Sequence, residues 1–286
     1  MYALNISHYF RMLREWFQKP LLKSSIFIGL SRISEQGFGF LFWALAARLY
    51  SISDVGVGTA LVSSLGIVMT LSRFGFDSAI IRFMPTYDKT SIINTSLGIT
   101  SILAMLFGGL YFIFIKFTSP ELSVVESYWG YFILFALVNS ISVTTGYIFI
   151  AVRRADLRFF QNMLLGARIP FLLVFVGLGG MGILYAMGLA YAITAVFGLL
   201  LIIRQFRVKL NLDLQYIQKT FNYSFLNYVA NLFQYLPEQA LPILILTYLD
   251  PESAALYFIA FAIGNIVLII PNAIGTSFFV EGSHGG

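Results

Sequence analysis

The sequence predicts an all-α polytopic membrane protein of about eight transmembrane helices. They divide into a six-helix N-terminal lobe and the first two helices of a second six-helix repeat. Three observations carry this expectation. Of 286 residues, 58% are hydrophobic and only 11% charged, whereas soluble domains carry roughly 25% charged residues. Apolar stretches of about 20 residues, enough to cross a bilayer, recur along the chain, and none shows the alternating pattern of a membrane β-barrel. Finally, the pattern that closes the first span returns 199 residues later.

The composition also excludes chemistry. Without cysteine there is no disulfide framework, thiolate nucleophile or zinc–thiolate site. The two histidines, His8 and His284, stand at opposite ends, so no imidazole metal centre is expected. No Gly-rich phosphate loop or Ser–His–Asp set is present. We expect no enzyme, no catalytic residue, no metal and no cofactor.

Residues 1–24 open the chain. Tyr9, Phe10, Leu13, Trp16 and Phe17 recur at helical spacing between Arg11, Arg14 and Lys19. That pattern predicts an amphipathic helix on the cytoplasmic leaflet, with an unstructured tail as the alternative; the segment is too charged for a cleavable signal. Spans follow at 25–48, 56–81, 92–115, 128–151, 161–179 and 181–203, making a first lobe over 25–203. Gly177 and the Gly179–Gly182 turn divide the fifth and sixth, predicting a tight hairpin. Residues 204–220 read as a cytoplasmic interfacial linker. Spans at 221–248 and 254–279 begin the second lobe, 221–286. Pro170, Pro237, Pro242 and Pro271 interrupt the later spans.

Charge sets the orientation. Thirteen Lys and Arg residues, among them Arg11, Arg82, Lys89, Arg153, Arg154, Arg158, Arg204 and Lys219, fall on one side. The opposite loops carry Asp54, Glu121, Glu126, Asp250 and Glu252, with only Lys116 as a clear cation. The expected protein is a multi-pass protein of the cell inner membrane with both termini of this chain cytoplasmic. The net charge of +5 thus reports topology, and no nucleic-acid partner is expected.

Leu49-Tyr50 before Ser51-Ile52-Ser53-Asp54 matches Tyr248-Leu249 before Asp250-Pro251-Glu252-Ser253. The offset maps span one onto seven and two onto eight, with an even number of spans between, so the repeats share orientation. A second repeat ending after two helices reads as a truncated chain, with a natural eight-span protein as the alternative.

Charges inside spans cost a few kcal/mol each and normally face a cavity or a partner. Arg32, Glu35 and Gln36 share one face of span one. Asn227, Asn231, Gln234 and Glu238 share an arc of span seven. The offset maps Arg32 onto Asn231 and Glu35 onto Gln234, so two polar stripes facing across the repeat axis would line a central aqueous cavity. The simpler alternative is interhelical glue, with Arg32 paired to Glu35. Arg73 and Asp77 allow an i, i+4 pairing in span two. Arg168 lies inside span five with no acidic neighbour in sequence, which favours an anionic ligand. Arg48 lies near enough to the surface to snorkel.

These residues resemble a known family. Ala47-Arg48-Leu49-Tyr50 with Val55-Gly56, the run Arg73-Phe74-Gly75-Phe76-Asp77-Ser78-Ala79-Ile80-Ile81-Arg82-Phe83-Met84-Pro85, and Phe279-Val280-Glu281-Gly282-Ser283 look like the corresponding turns of polysaccharide flippases. Those proteins belong to the multidrug/oligosaccharidyl-lipid/polysaccharide exporter superfamily. The resemblance implies two six-helix lobes, 12 to 14 spans, and alternating access. The implied substrate is a polyprenyl-linked oligosaccharide, flipped to the outer leaflet for polysaccharides such as lipopolysaccharide O-antigen. Its pyrophosphate or acidic sugars would meet Arg32, Arg73 and Arg168. Membrane lipids and the glycosyltransferases or polymerase of the same pathway are the expected partners. Glu35 and Glu238 are candidates for a coupling H⁺ or Na⁺.

Two other classes compete. A multidrug exporter of the same superfamily would favour cationic drugs and an acidic cavity. A membrane-embedded glycosyltransferase or polymerase would need a sizeable catalytic loop, and segment 204–220 holds only Asp213 as an acid.

Overall fold

A computed structural model describes residues 20–115, 129–206, 208–209 and 211–284. Of the amphipathic segment expected at 1–24, residues 1–19 lie outside the described residues, as does the outer loop around Glu121 and Glu126, while 20–24 continue into the first long helix. Among the described residues the chain is helical with no strand, an all-α polytopic membrane protein.

The helices are α1 (Pro20–Leu49), α2 (Ile52–Arg73), α3 (Phe76–Phe83), α4 (Lys89–Ile115), α5 (Trp129–Ala151), α6 (Ala155–Leu165), α7 (Arg168–Val174), α8 (Gly180–Gln205), α9 (Leu214–Tyr248), α10 (Pro251–Gly264) and α11 (Ile269–His284). Long, apolar and able to cross a membrane are α2, α4, α5, α6 with α7, and α8. Helices α1 and α9 exceed the bilayer's ~30 Å core in length, but their polar stripes lower their hydropathy. The outward surface is apolar: Val174 is 72% and Phe233 82% exposed, a surface suited to lipid rather than water.

Local chemistry explains the breaks. Ser51 caps α2 by accepting a hydrogen bond from the Asp54 amide at 3.1 Å. Asp250 caps α10 by the same i+3 contact, from Ser253 at 2.7 Å, with Pro251 at the first helical position. Helix end, cap and helix start thus recur 199 residues apart. Span two, expected unbroken over 56–81, breaks where Phe74 and Gly75 adopt φ of 45° and 73°. Gly75 is required there, because a Cβ would also overlap the Ser224 carbonyl of α9. Span five begins earlier than expected, at Ala155, and is split at Gly166-Ala167. The predicted glycine hairpin forms: Gly179 turns with φ of 56°, and the Gly180 amide donates to Asp54 at 3.2 Å.

The expected linker 204–220 is shorter than its polarity suggested. Asp213 accepts from the amides of Gln215 and Tyr216, which starts α9 at Leu214. The remaining strap is tied to α4 through Lys209 N–H to Asn94 and Asp213 N–H to Thr95.

Helix α2 is the hub, packing against α4, α8, α9 and α10. Leu61, Leu65 and Val68 meet Phe132, Phe135, Leu184, Ile243 and Leu246 in one core. Phe42, Trp43, Leu172 and Met187 form another between α1, α7 and α8. Buried hydroxyls join α4, α5 and α8, through Thr100–Thr144 at 3.1 Å and Ser142–Thr194 at 2.7 Å.

Candidate functional site

Ser31 and Glu35 of α1 find partners on α6. Arg158, Gln161 and Asn162 repeat the i, i+3, i+4 spacing of Arg32, Glu35 and Gln36, and the two helices pack closely. Asn162 donates to the Ser31 carbonyl at 3.0 Å, the Ser31 hydroxyl at 2.8 Å and the Glu35 carboxylate at 3.3 Å. Arg158 reaches Glu35 at 3.7 Å and the Gln161 carbonyl at 3.2 Å. Glu35 therefore takes its ion pair from α6, which corrects the intrahelical Arg32–Glu35 pairing that spacing allowed. Arg32 acts on Glu35 only at longer range and also interacts with Tyr147 of α5. A helix-surface i, i+3 pair is worth only a few tenths of a kcal/mol, so a fixed partner on a facing helix displaces it easily.

Arg168 opens α7 beside this group and is 5% exposed. One guanidinium nitrogen donates to the Glu35 backbone carbonyl at 3.0 Å and another meets the Met187 sulfur at 3.8 Å. The Phe42 ring lies 5.7 Å away. Its Nε has no hydrogen-bond partner, and no carboxylate among the described residues is within ion-pair reach. Arg158, Arg32 and Arg168 all act electrostatically on Glu35. Three guanidiniums around one carboxylate leave a net positive site.

A second group adjoins it. Arg73 meets Asp77 at 3.5 Å, and Asn231 of α9 donates to the same carboxylate at 3.4 Å. Tyr235 lies under Arg73 at 5.4 Å, and Tyr147 interacts with both Arg73 and Arg32, linking the groups. Span seven's stripe is thus partly engaged. Gln36 and Gln234 are exposed, while Asn227 donates back to the Tyr223 carbonyl at 2.8 Å. Glu238 is half-buried facing Tyr257 of α10. The pocket beside Arg32, Glu35, Tyr147 and Arg158 has a volume of about 20 Å³, room for roughly one water.

A family model described as a polysaccharide biosynthesis protein matches residues 21–279. The chain belongs to the polysaccharide biosynthesis protein family. Neither the comparison with curated proteins nor that with solved structures returned a match. In this polysaccharide biosynthesis protein, the matched segment includes both cationic groups and all the helices that build them. Sequence reasoning missed Arg158, Asn162, Tyr147 and Tyr235. Starting span five at 161 assigned Arg158 to the basic loop, although its spacing with Gln161 and Asn162 was a legible signal.

Arg158 also shows how the site is seated. A Cβ on Gly146 would overlap its guanidinium, so the missing side chain makes room for the cation. Gln161 holds it from below while donating to the Ser142 carbonyl and Thr145 hydroxyl, each at 2.9 Å. Beyond the membrane segments, backbone N–H donation from Tyr216, with help from Ser91 and Tyr87, holds the Asp213 carboxyl below the usual carboxylate range.

Proposed function

We propose that this protein is a flippase that moves a polyprenyl-linked oligosaccharide from the cytoplasmic to the outer leaflet by alternating access. The observation that carries the reading is the charge balance of the inner groups. Among the described residues, Arg32, Arg73, Arg158 and Arg168 face only Glu35 and Asp77, and Arg168 keeps an unused donor. A guanidinium holds phosphate oxygens through two parallel hydrogen bonds, and that contact strengthens in a low-dielectric site. The same balance disfavours the cationic drugs of a multidrug exporter. Family membership ties the chemistry to polysaccharide synthesis, and the lipid pyrophosphate is the anion common to its membrane-bound intermediates.

The basic end of the bundle faces the cytoplasm of the inner membrane, following the charge asymmetry. Glu35 and Glu238 remain candidates for a coupling H⁺ or Na⁺, and pathway glycosyltransferases or a polymerase are the partners that would supply and use the substrate. The test is transbilayer movement of a lipid-linked oligosaccharide in proteoliposomes holding the full-length protein. Arg32→Ala and Arg168→Ala should each abolish it with insertion intact, and Arg168→Lys should rescue in part. Normal movement by both Ala variants would sink the cationic-site reading.

A further inference from the structure

A second cavity lies away from the inner groups. Arg82, Tyr223, Phe278, Phe279, Gly282 and Ser283 line about 470 Å³ of open space, within the range of small-molecule sites. Arg82 comes from the last turn of α3, Tyr223 from α9, and the rest from α11. Arg82 is exposed and forms no ion pair among the described residues, and its charge acts on Tyr223. Phe83 fixes the Tyr223 ring edge-on at 5.7 Å. The Ser283 hydroxyl is already donated to the Phe279 carbonyl at 2.8 Å. Among the described residues the cavity offers one cation without an ion pair and one phenol beside two phenyl rings.

That combination suits an anion carried on hydrocarbon. A free inorganic anion would use Arg82 but leave the Phe278–Phe279 wall without purpose. We propose that this cavity docks the phosphate of a membrane lipid, with Arg82 gripping the phosphate oxygens and the two phenyl rings lying along the first carbons of the chain. Naming the lipid as the polyprenyl phosphate of the flipped substrate rests on the proposed function; the phosphate-and-hydrocarbon chemistry does not. In that case the substrate would meet Arg82 before the inner arginines.

The test places the photoreactive benzoylphenylalanine at Phe278, which is 75% exposed, in full-length protein in nanodiscs. The probes are alkyne-tagged polyprenyl phosphate, alkyne-tagged phosphatidylglycerol and their uncharged counterparts, polyprenol and diacylglycerol. Labelling by a phosphate probe should exceed that by its uncharged counterpart about tenfold, the worth of one charge-assisted contact. Arg82→Ala should remove the excess and Arg82→Lys retain part of it. Gly282→Phe should remove it by filling the cavity, since a Cβ there meets open space. Preference for polyprenyl phosphate identifies the carrier lipid, and equal labelling by phosphatidylglycerol identifies bulk lipid; both support the site. Excess labelling that survives Arg82→Ala and Gly282→Phe overturns it, as does equal labelling by uncharged probes. Arg168→Ala should leave the labelling unchanged, so failure of the inner site and failure of this one read separately.

Discussion

Arg168→Met tests whether the inner guanidinium is kept for function or for folding. Methionine has similar length and no charge. The substitution forfeits the charge-assisted bond to the Glu35 carbonyl, worth about 1.5–3 kcal/mol. It also forfeits the contact over Phe42, worth about 0.5–2 kcal/mol. Against this, it removes the desolvation cost of a buried ion with no facing carboxylate, several kcal/mol after relaxation. It also removes an unsatisfied Nε, itself about 1–3 kcal/mol. The Glu35 carbonyl lies mid-helix, where the α1 amide ladder still serves it. The balance runs from neutral to about 3 kcal/mol in favour of methionine. At about 2–4 °C per kcal/mol, the apparent Tm in nanodiscs should hold or rise by up to roughly 10 °C. Oligosaccharide movement should be lost in the same preparation. A variant that melts lower or fails to accumulate would mean that Arg168 is structural. One that is stable and fully active would remove it from the site.

Gly146→Ala should gain about 1 kcal/mol of helix propensity yet lose transport, because its methyl evicts Arg158 from Glu35; combined with Arg158→Ala it should add no further loss. Asp213→Ala should cost about 1 kcal/mol at pH 7 by uncapping α9. The Asp213 pKa is lowered on folding, so its charge stabilises above the unfolded value near 3.9 and ceases to do so as pH falls through the folded one. Melting curves of wild type and variant should therefore converge below about pH 4, and a constant gap would assign the effect to something other than ionisation. For topology, cysteines at Asp54, Ser123 and Glu252 should react with an impermeant thiol reagent from outside, and those at Lys89, Asp156 and Asp213 should not. Outside labelling at Asp156 would reverse the orientation.

The sequence was most legible where one element decides the matter. Hydropathy marked α2, α4, α5 and α8 because lipid solvation acts residue by residue. The caps at Ser51 and Asp250 were visible as a repeat because capping depends on a few adjacent residues. Contacts between helices were not legible. The stripe on α1 was evident, but its partner on α6 depended on where α6 begins. That start was obscured by Arg153, which turns with φ of 60°, and by Arg154, both of which read as loop. The break at Phe74-Gly75 was equally hidden, since its cause is the Ser224 backbone well over a hundred positions away.

The same contact bears on how a substrate would pass. A pocket of about 20 Å³ beside Glu35 cannot hold a pyrophosphate, so the proposed function requires that pocket to widen before a substrate enters. Under the proposed alternating access, opening would part α2–α3 from α9–α10, because Arg73 and Asp77 stand on one side and Asn231 and Tyr235 on the other. That seam is tightest at its ends, where Gly75 admits the Ser224 carbonyl and Gly56 admits the Pro251 carbonyl. Its middle is a close fit as well, between Gly66 and the Gln239 side chain, but a side chain can swing where a backbone cannot. Parting one end while the other stays seated would expose the arginines to one face only. The open space at Arg82 lies at the Gly75 end. A lipid phosphate bound there would sit against the contact that must open first, so docking and opening would draw on the same side chains.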